Sequence, residues 1–332
     1  MSRRLVLVTG GAGFIGSNIV AELTSDDGVD VAVCDRLREA GLGKWRNLAK
    51  HRIADFIAPK DLPEWLEGRG REAEAVIHMG AVSATTESDA DKIMRVNFGL
   101  SRDLFDWCAT HARRFIWASS AATYGAGEGG FDDEPAPAAL AALRPLNAYG
   151  WSKAVFDLYA VRRAAEGRAP PQWAGLKFFN VYGPNEDHKG DMRSVAAKIW
   201  PDIAAGRRVR LFRSDRDGVL DGGQQRDFVY VRDAAKAAAW LFDTPKVSGL
   251  FNLGSGQARS FAELAGALFR AAGREPAIDY IDMPAALRGQ YQYYTCAAME
   301  RLRAAGFKEP STTIEDGTAD YARFLASGDP YR

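Results

Sequence analysis

The chain has 332 residues, longer than a typical single domain, and 47% of them are hydrophobic, enough for a large core with a smaller lobe beside it. Lysine plus arginine and aspartate plus glutamate number 43 each, so no global field recruits nucleic acid or a membrane surface. Three separated cysteines, Cys34, Cys108 and Cys296, provide no disulfide framework or zinc knuckle and point to a reducing, cytoplasmic compartment.

In chain order, Arg3 and Arg4 precede an apolar run too short for a signal peptide, and no later stretch approaches the roughly 20 apolar residues of a membrane span. That run, Leu5 to Val8, predicts a buried strand. It breaks into Gly10-Gly11-Ala12-Gly13-Phe14-Ile15-Gly16, and Ser17 to Leu23 then carries helical periodicity. Gly10 allows a tight turn, Gly13 lets backbone approach a pyrophosphate, and Gly16 lets the helix pack closely, with the helix N-terminus facing the phosphates. The first glycine gap is one residue longer than in the usual dinucleotide fingerprint, and the triplet alone would also suit a flexible turn.

A second strand, Asp30 to Cys34, ends in Asp35-Arg36. Asp35 stands about 20 residues past the glycines, where a dinucleotide fold sets an acid against the adenosine ribose. Arg36, helped by Lys44, would instead meet a 2′-phosphate, so the two charges pull the NAD and NADP readings apart; a solvated loop is the plain alternative. Asn47-Leu48 and Ile53 to Phe56 suggest a further helix and strand. Ala75 to His78 is the next strand, and the small residues after it, Met79-Gly80-Ala81-Val82-Ser83, suit a cofactor pressed on the sheet edge. His78 reads as a packed strand-end residue, and Asn97, polar on a core-seeking helix, needs a hydrogen-bonding job.

The fifth strand, Arg114 to Ala118, runs into the hydroxyl-rich Ser119-Ser120, and residues 126–146 read as a surface loop. A helix follows, carrying Tyr149 and Lys153 one turn apart on one face. A neighbouring ammonium favours the phenolate, which makes Tyr149 usable as an acid or base. The sixth strand, Gly175 to Phe179, leads into Asn180-Val181-Tyr182-Gly183-Pro184 and a polar run, Asn185 to Arg193, expected in solvent, in which His188 has no metal-spaced companion. Beyond it come a helix over 194–205, a strand over 209–212, a polar loop over 213–225 and a helix that Asp233 would cap. A strand over 249–253, a helix after Ser260, a strand over 278–281 and a helix over 314–325 complete the chain.

Together the glycine turn, Ser119-Ser120, Tyr149-x-x-x-Lys153, Asn180 to Pro184 and Arg226-Asp227-Phe228-Val229 resemble extended short-chain dehydrogenases/reductases of the nucleotide-sugar epimerase and dehydratase branch. Within it, Asn180 to Pro184 continuing to His188-Lys189-Gly190 and Met192, with Gly289-Gln290-Tyr291-Gln292, is similar to the ADP-L-glycero-D-manno-heptose 6-epimerase family over nearly the full length. That resemblance implies an α/β fold, a doubly wound parallel Rossmann sheet with a smaller C-terminal α/β substrate lobe. Residues 1–180 and about 227–253 would form the dinucleotide domain, and 181–226 with 254–332 the lobe. It also implies bound NADP (NAD being the other possibility), an ADP-linked heptose substrate of lipopolysaccharide core synthesis, and a homo-oligomer, a pentamer being the family's best-known form.

Carried over by motif, Tyr149 and Lys189 would handle protons on the two faces of C6, Lys153 would hold the ribose and tune Tyr149, and Ser120 would bond the reacting oxygen. Asn97, Val181 and Lys189 would join the cofactor contacts, and no metal is implied. Substrate contacts would be Asn180, Asp191, Lys198, Phe212, Arg213, Ser214, Asp215, Arg226 and Tyr291; the planar fork of Arg226 suits a diphosphate. Asp191 replaces the family's usual serine, Lys198 its histidine and Arg36 its asparagine, and the 215–225 loop is longer. A UDP-sugar 4-epimerase would need only Tyr149. A 4,6-dehydratase would need an Asp-Glu pair where Ala121-Ala122 stand, and the intact Ser120, Tyr149 and Lys153 argue against a non-catalytic nucleotide sensor.

Overall fold

The computed structural model describes residues 3–37, 43–85, 87–284 and 291–332, so Gly289 and Gln290 of the sequence motif lie outside the described residues. Among the described residues, twelve strands run in chain order: β1 (Arg4–Thr9), β2 (Val29–Cys34), β3 (Asp55–Ile57), β4 (Ala75–His78), β5 (Arg114–Ser120), β6 (Trp173–Phe178), β7 (Asn180–Tyr182), β8 (Val209–Phe212), β9 (Gln225–Tyr230), β10 (Gly249–Leu253), β11 (Ala258–Ser260) and β12 (Ile278–Ile281). Seven form one all-parallel sheet in the order β10-β6-β5-β4-β1-β2-β3. Strand order reverses between β1 and β4, which opens a crevice at their carboxyl ends. Leu5, Val6, Leu7 and Val8 are all buried because helices cover both faces, which is why β1 reads as an unbroken apolar run.

On one face, α1 (Phe14–Leu23) packs beside a later helix, Val231–Asp243. The other face carries α2 (Leu62–Glu67), α3 (Ala90–Ile93), α4 (Leu100–Thr110), α5 (Pro137–Ala142) and α6 (Ala148–Ala165). α5 interrupts what the sequence suggests is loop, since Pro137 at its start supplies a helix-ready φ. In α6, the Asn147 side chain accepts from Gly150 N (2.8 Å) and caps the first turn, which fixes where Tyr149 stands.

The small lobe is built on a three-stranded sheet, β11-β9-β7, and the pair β12-β8, packed with α7 (Val195–Ala204), α8 being the helix Val231–Asp243 on the large sheet, α9 (Phe261–Ala271) and the helix Ile314–Ala326. A capping box between Ser260 and Glu263 opens α9. Two features lie across the boundary expected from the sequence. β9 pairs within the lobe sheet to Tyr230, although Val229 on it packs in the large-domain core. Conversely Ala297, Met299, Leu302 and Phe307 pack in the large-domain core, with Phe307 5.4 Å from the Trp240 ring. α8 is capped at Tyr230, not at Asp233, whose carboxylate accepts from Thr312 N (2.7 Å) and Thr312 Oγ1 (2.8 Å) and so ties α8 to the C-terminal region. Among the described residues, no helix is long and apolar enough to cross a membrane.

Candidate active site

The turn after β1 is sterically specified. Gly10 has φ +66°, and a Cβ there would lie 2.6 Å from Gly80 N; at Gly16 it would lie 2.2 Å from Gly10 O. Gly13 is the N-cap of α1 and brings no side-chain oxygen, and the first turn holds no acid, so the helix offers its N–H groups and positive end to an outside anion. Asp35 accepts from Ala12 N (2.9 Å), Arg36 N (2.7 Å) and Lys44 Nζ (2.7 Å), clamping the turn from below. Those three bonds leave about one of a carboxylate's roughly four acceptor positions for a ribose hydroxyl. Arg36 is exposed beside it. A phosphate cradle, an acid with spare capacity and two adjacent cations fit the dinucleotide reading.

Beyond β4, Gly80 N donates to Thr9 Oγ1 (3.3 Å), and Asn97 grips Val82 at both ends, accepting from its N (2.8 Å) and donating to its O (3.0 Å). Asn97 also donates to Ser152 Oγ (3.0 Å) and is fully buried on a π-helical turn, Met94–Gly99. Expected among cofactor contacts, it supports the 79–83 segment in this structure. His78 is a packed residue: it shares hydrogen bonds with Thr9 (2.6 Å) and Ser101 (2.9 Å), stacks on Phe115, and is pushed down to about 3 by burial and by Lys153.

Ser120 ends β5 and lies near enough to the Tyr149 phenol to favour its ionisation, which brings these two predicted groups together. Burial pushes the phenol up, with the Asp157 charge adding to it, while Ser120 opposes. Lys153 is buried on the same helix face. Its ammonium donates to Ala118 O (2.7 Å), and burial, opposed by Asp157, pushes it down to about 8.

The Asn185–Arg193 run is not a solvent loop. Asn185 and Glu186 are buried; Asn185, at φ +76°, donates to Ser17 Oγ (2.9 Å) and accepts from Arg332 N (2.8 Å), while its own N–H donates to Pro330 O (3.1 Å). Glu186 accepts from Ser194 Oγ (2.6 Å) and Tyr321 OH (3.0 Å). This anchorage sets Lys189 over the Phe14 ring, 5.1 Å from its centre, beside the glycine turn. Burial pushes Lys189 down, against Glu186 and together with Lys198. His188, 3.1 Å from Asn47, is pushed down to about 4 by burial and the neighbouring Lys44 and Lys189. Sequence reasoning missed Asn47, Asn185 and Glu186 as supports; the only signal was a polar pair directly after a buried Gly-Pro turn.

In the lobe, Arg226 is buried, 5.0 Å over the Tyr291 ring and 5.7 Å over Phe261. Tyr291 meets Phe212 edge-on (6.3 Å) and Tyr293 (5.9 Å), and Tyr293 is hydrogen-bonded to Asp215. Phe212, Asp215, Arg226 and Tyr291 therefore form one patch. Arg213 pairs with Asp282 (3.1 Å) and Asp221 (3.9 Å), while Ser214 donates its N–H to Asp221 (3.0 Å) and its hydroxyl to Arg216 O (3.0 Å). Asn180, Asp191 and Lys198 are exposed, and Val181 is half-buried in β7.

Residues 6–254 match the model of the NAD dependent epimerase/dehydratase family. The ADP-L-glycero-D-manno-heptose-6-epimerase of Nitratidesulfovibrio vulgaris is 48% identical over 98% of this chain and 100% of its own. The crystal structure of the Helicobacter pylori enzyme of that name superposes with a TM-score of 0.81 at 27% identity, covering 98% of this chain and 97% of that one. The Thermus thermophilus UDP-glucose 4-epimerase, in complex with NAD, follows at 0.73 and 28%, with coverage of 97% and 99%.

Proposed function

The chain belongs to the NAD dependent epimerase/dehydratase family, and from that premise we propose that it epimerises ADP-D-glycero-D-manno-heptose at C6 to the L-glycero form, a lipopolysaccharide inner-core precursor. The full-length likeness to relatives of that name supports the substrate. The mechanism rests on where the fold holds two proton-handling groups: Tyr149 in the first turn of α6, fixed by the Asn147 cap, and Lys189 over the Phe14 ring beside the glycine turn, with burial pushing the phenol up and the ammonium down. Environments that separate two titratable groups in this way assign an acid and a base.

The glycine turn, Asp35, Arg36 and Lys44 would hold a nicotinamide dinucleotide, which would supply reversible hydride transfer at C6 with no net oxidation. The N–H groups of the Gly10–Gly16 turn hold the pyrophosphate, and Asp35 meets the adenosine ribose. Arg36 and Lys44 favour a 2′-phosphate, hence NADP. Lys189 takes the C6 hydroxyl proton on one face and Tyr149 gives a proton back on the other; the proton left on Lys189 then returns to the Tyr149 phenolate through solvent, and the reverse reaction exchanges the roles. Ser120 holds the reacting oxygen beside Tyr149. Arg226 pairs with the diphosphate, and Phe212, Asp215 and Tyr291 line the sugar nucleotide. A cytoplasmic homo-oligomer is the assembly this reading favours, tested by light scattering.

The deciding experiment incubates the protein with ADP-D-glycero-D-manno-heptose and, separately, UDP-galactose, and follows product stereochemistry by NMR. Inversion at C6 of the heptose alone is the expected result. Turnover of the UDP sugar instead would move the function to the 4-epimerases. Denaturing the protein and identifying the released nucleotide decides NADP against NAD.

A further inference from the structure

Beneath the Ser120–Tyr149 pair lies a buried ion pair that the proposed chemistry does not use. Lys177 on β6 and Asp157 on α6 approach to 3.3 Å with side-chain exposures of 0% and 1%. Asp157 accepts from Ser119 Oγ (2.6 Å) and Trp117 Nε1 (3.0 Å), both on β5. Lys177 donates to Thr123 Oγ1 (2.9 Å) and lies 4.6 Å from the centre of the Tyr124 ring; Thr123 Oγ1 in turn donates to Ser120 O (2.9 Å). The network thus grips the end of β5 from both sides of Ser120. Apolar side chains of similar volume would hold such a place as well or better, so stability alone is a weak reason for two charges here.

Position supplies a stronger one. Tyr149, Lys153 and Asp157 recur at four-residue spacing along α6 and so share a face. We propose that Asp157 and Lys177 are a positioning pair: together they fix the end of β5 against α6, and Lys177 offsets the Asp157 charge beneath Tyr149 and Lys153. The inference rests on the reading of Tyr149 as an acid and base.

The charge balance has a definite sign. The Asp157 carboxylate pushes both Tyr149 and Lys153 up. Removing Lys177 leaves that charge unopposed, with Ser119 and Trp117 still donating to it, so both groups move further up; removing Asp157 lets both fall. The other groups facing this cluster are His78 on β4, neutral between Thr9 and Ser101, Tyr124 after β5, and Asp133, which is held by Asn252 N (2.7 Å) and Arg301 (3.4 Å). None of them is altered in the variants.

The test compares Lys177→Met, Asp157→Asn and the double variant Asp157→Leu with Lys177→Met. Two readouts are used: the pH profile of kcat, and ultraviolet titration of the Tyr149 phenol in protein without substrate, taken as the difference from Tyr149→Phe. Lys177→Met should move both curves up by about one pH unit and Asp157→Asn should move them down, with KM little changed. The double variant should return close to the wild-type curves but lose about tenfold in kcat, because β5 is no longer tied to α6. Single variants that melt earlier yet keep wild-type curves would overturn the proposal. If the single variants do not fold, a double variant with wild-type kcat overturns it. Should Tyr149→Phe still turn over, the functional reading fails; a dead Tyr149→Phe beside an unshifted Lys177→Met defeats this inference alone.

Discussion

The edge of the seven-stranded sheet and the patch in the small lobe are built on different principles. At the sheet edge every part is held by something beneath it: Gly10 by its contact with Gly80, the turn by Asp35, Val82 by Asn97, and Lys189 by the buried Asn185 and Glu186. In the lobe, Arg226 stands buried among aromatic rings, while Arg213, Asp191 and Lys198 face solvent. Rigid supports suit the positioning of reacting groups to within fractions of an ångström, and exposed side chains suit the sorting of ligands. On the proposed assignment of roles, chemistry and selection are separable, and mutations should separate them.

The largest effects should come from the sheet edge. Tyr149→Phe and Lys189→Met are each expected to lower kcat by about 10²–10⁴-fold while bound nucleotide stays with the protein, measured as single-turnover epimerisation. Gly16→Ala should act differently, because its Cβ would overlap Gly10 O, so nucleotide is lost before turnover can be assayed. If both classes of variant lost nucleotide equally, the separation of binding from chemistry at this edge would be wrong.

Arg226→Ala in the lobe should raise KM by about 10–100-fold with kcat nearly kept, since a charge-assisted diphosphate contact is worth about 1.5–3 kcal/mol. A fall in kcat alone would place Arg226 with the chemistry instead. Lys44→Ala should shift preference from NADP toward NAD by about tenfold, read as competition between the two nucleotides for the emptied protein.

The smallest effect concerns acid stability. His78, ordinarily near 6.5, is pushed down to about 3 in the fold. The unfolded chain therefore takes up this proton first. The associated stability is fully present above about pH 6.5 and is lost progressively as pH falls toward 3. Thermal melts between pH 7 and 5 should show that loss, and His78→Gln should flatten it.

Legibility in the sequence followed the range of the forces involved. The glycine turn, the strands and the Tyr149–Lys153 face are local patterns, and β12 and α9 with its Ser260 cap appear where the periodicity places them. The Lys189 segment was misread because a polar run says nothing about partners far along the chain; Asn185 is buried by Ser17, Pro330 and Arg332. Lys153 has a partner hidden from the sequence for a related reason. Its spacing from Tyr149 is helical, but its ammonium is claimed by Ala118 on a neighbouring strand. Asp233 likewise stands where a cap would, and bonds to Thr312 instead.

The junction at Asn185 also has a kinetic consequence. Arg332 donates to Asn18 O across 314 positions and to Asn185 Oδ1 across 147. Contacts this distant require closure of very long loops before they return any stabilisation, so they belong to the late steps of folding. The seat of Lys189 is thus completed after the sheet on which it works. Refolding followed by sheet signals should run ahead of recovered turnover, and a ligand that grips the glycine turn should narrow the gap.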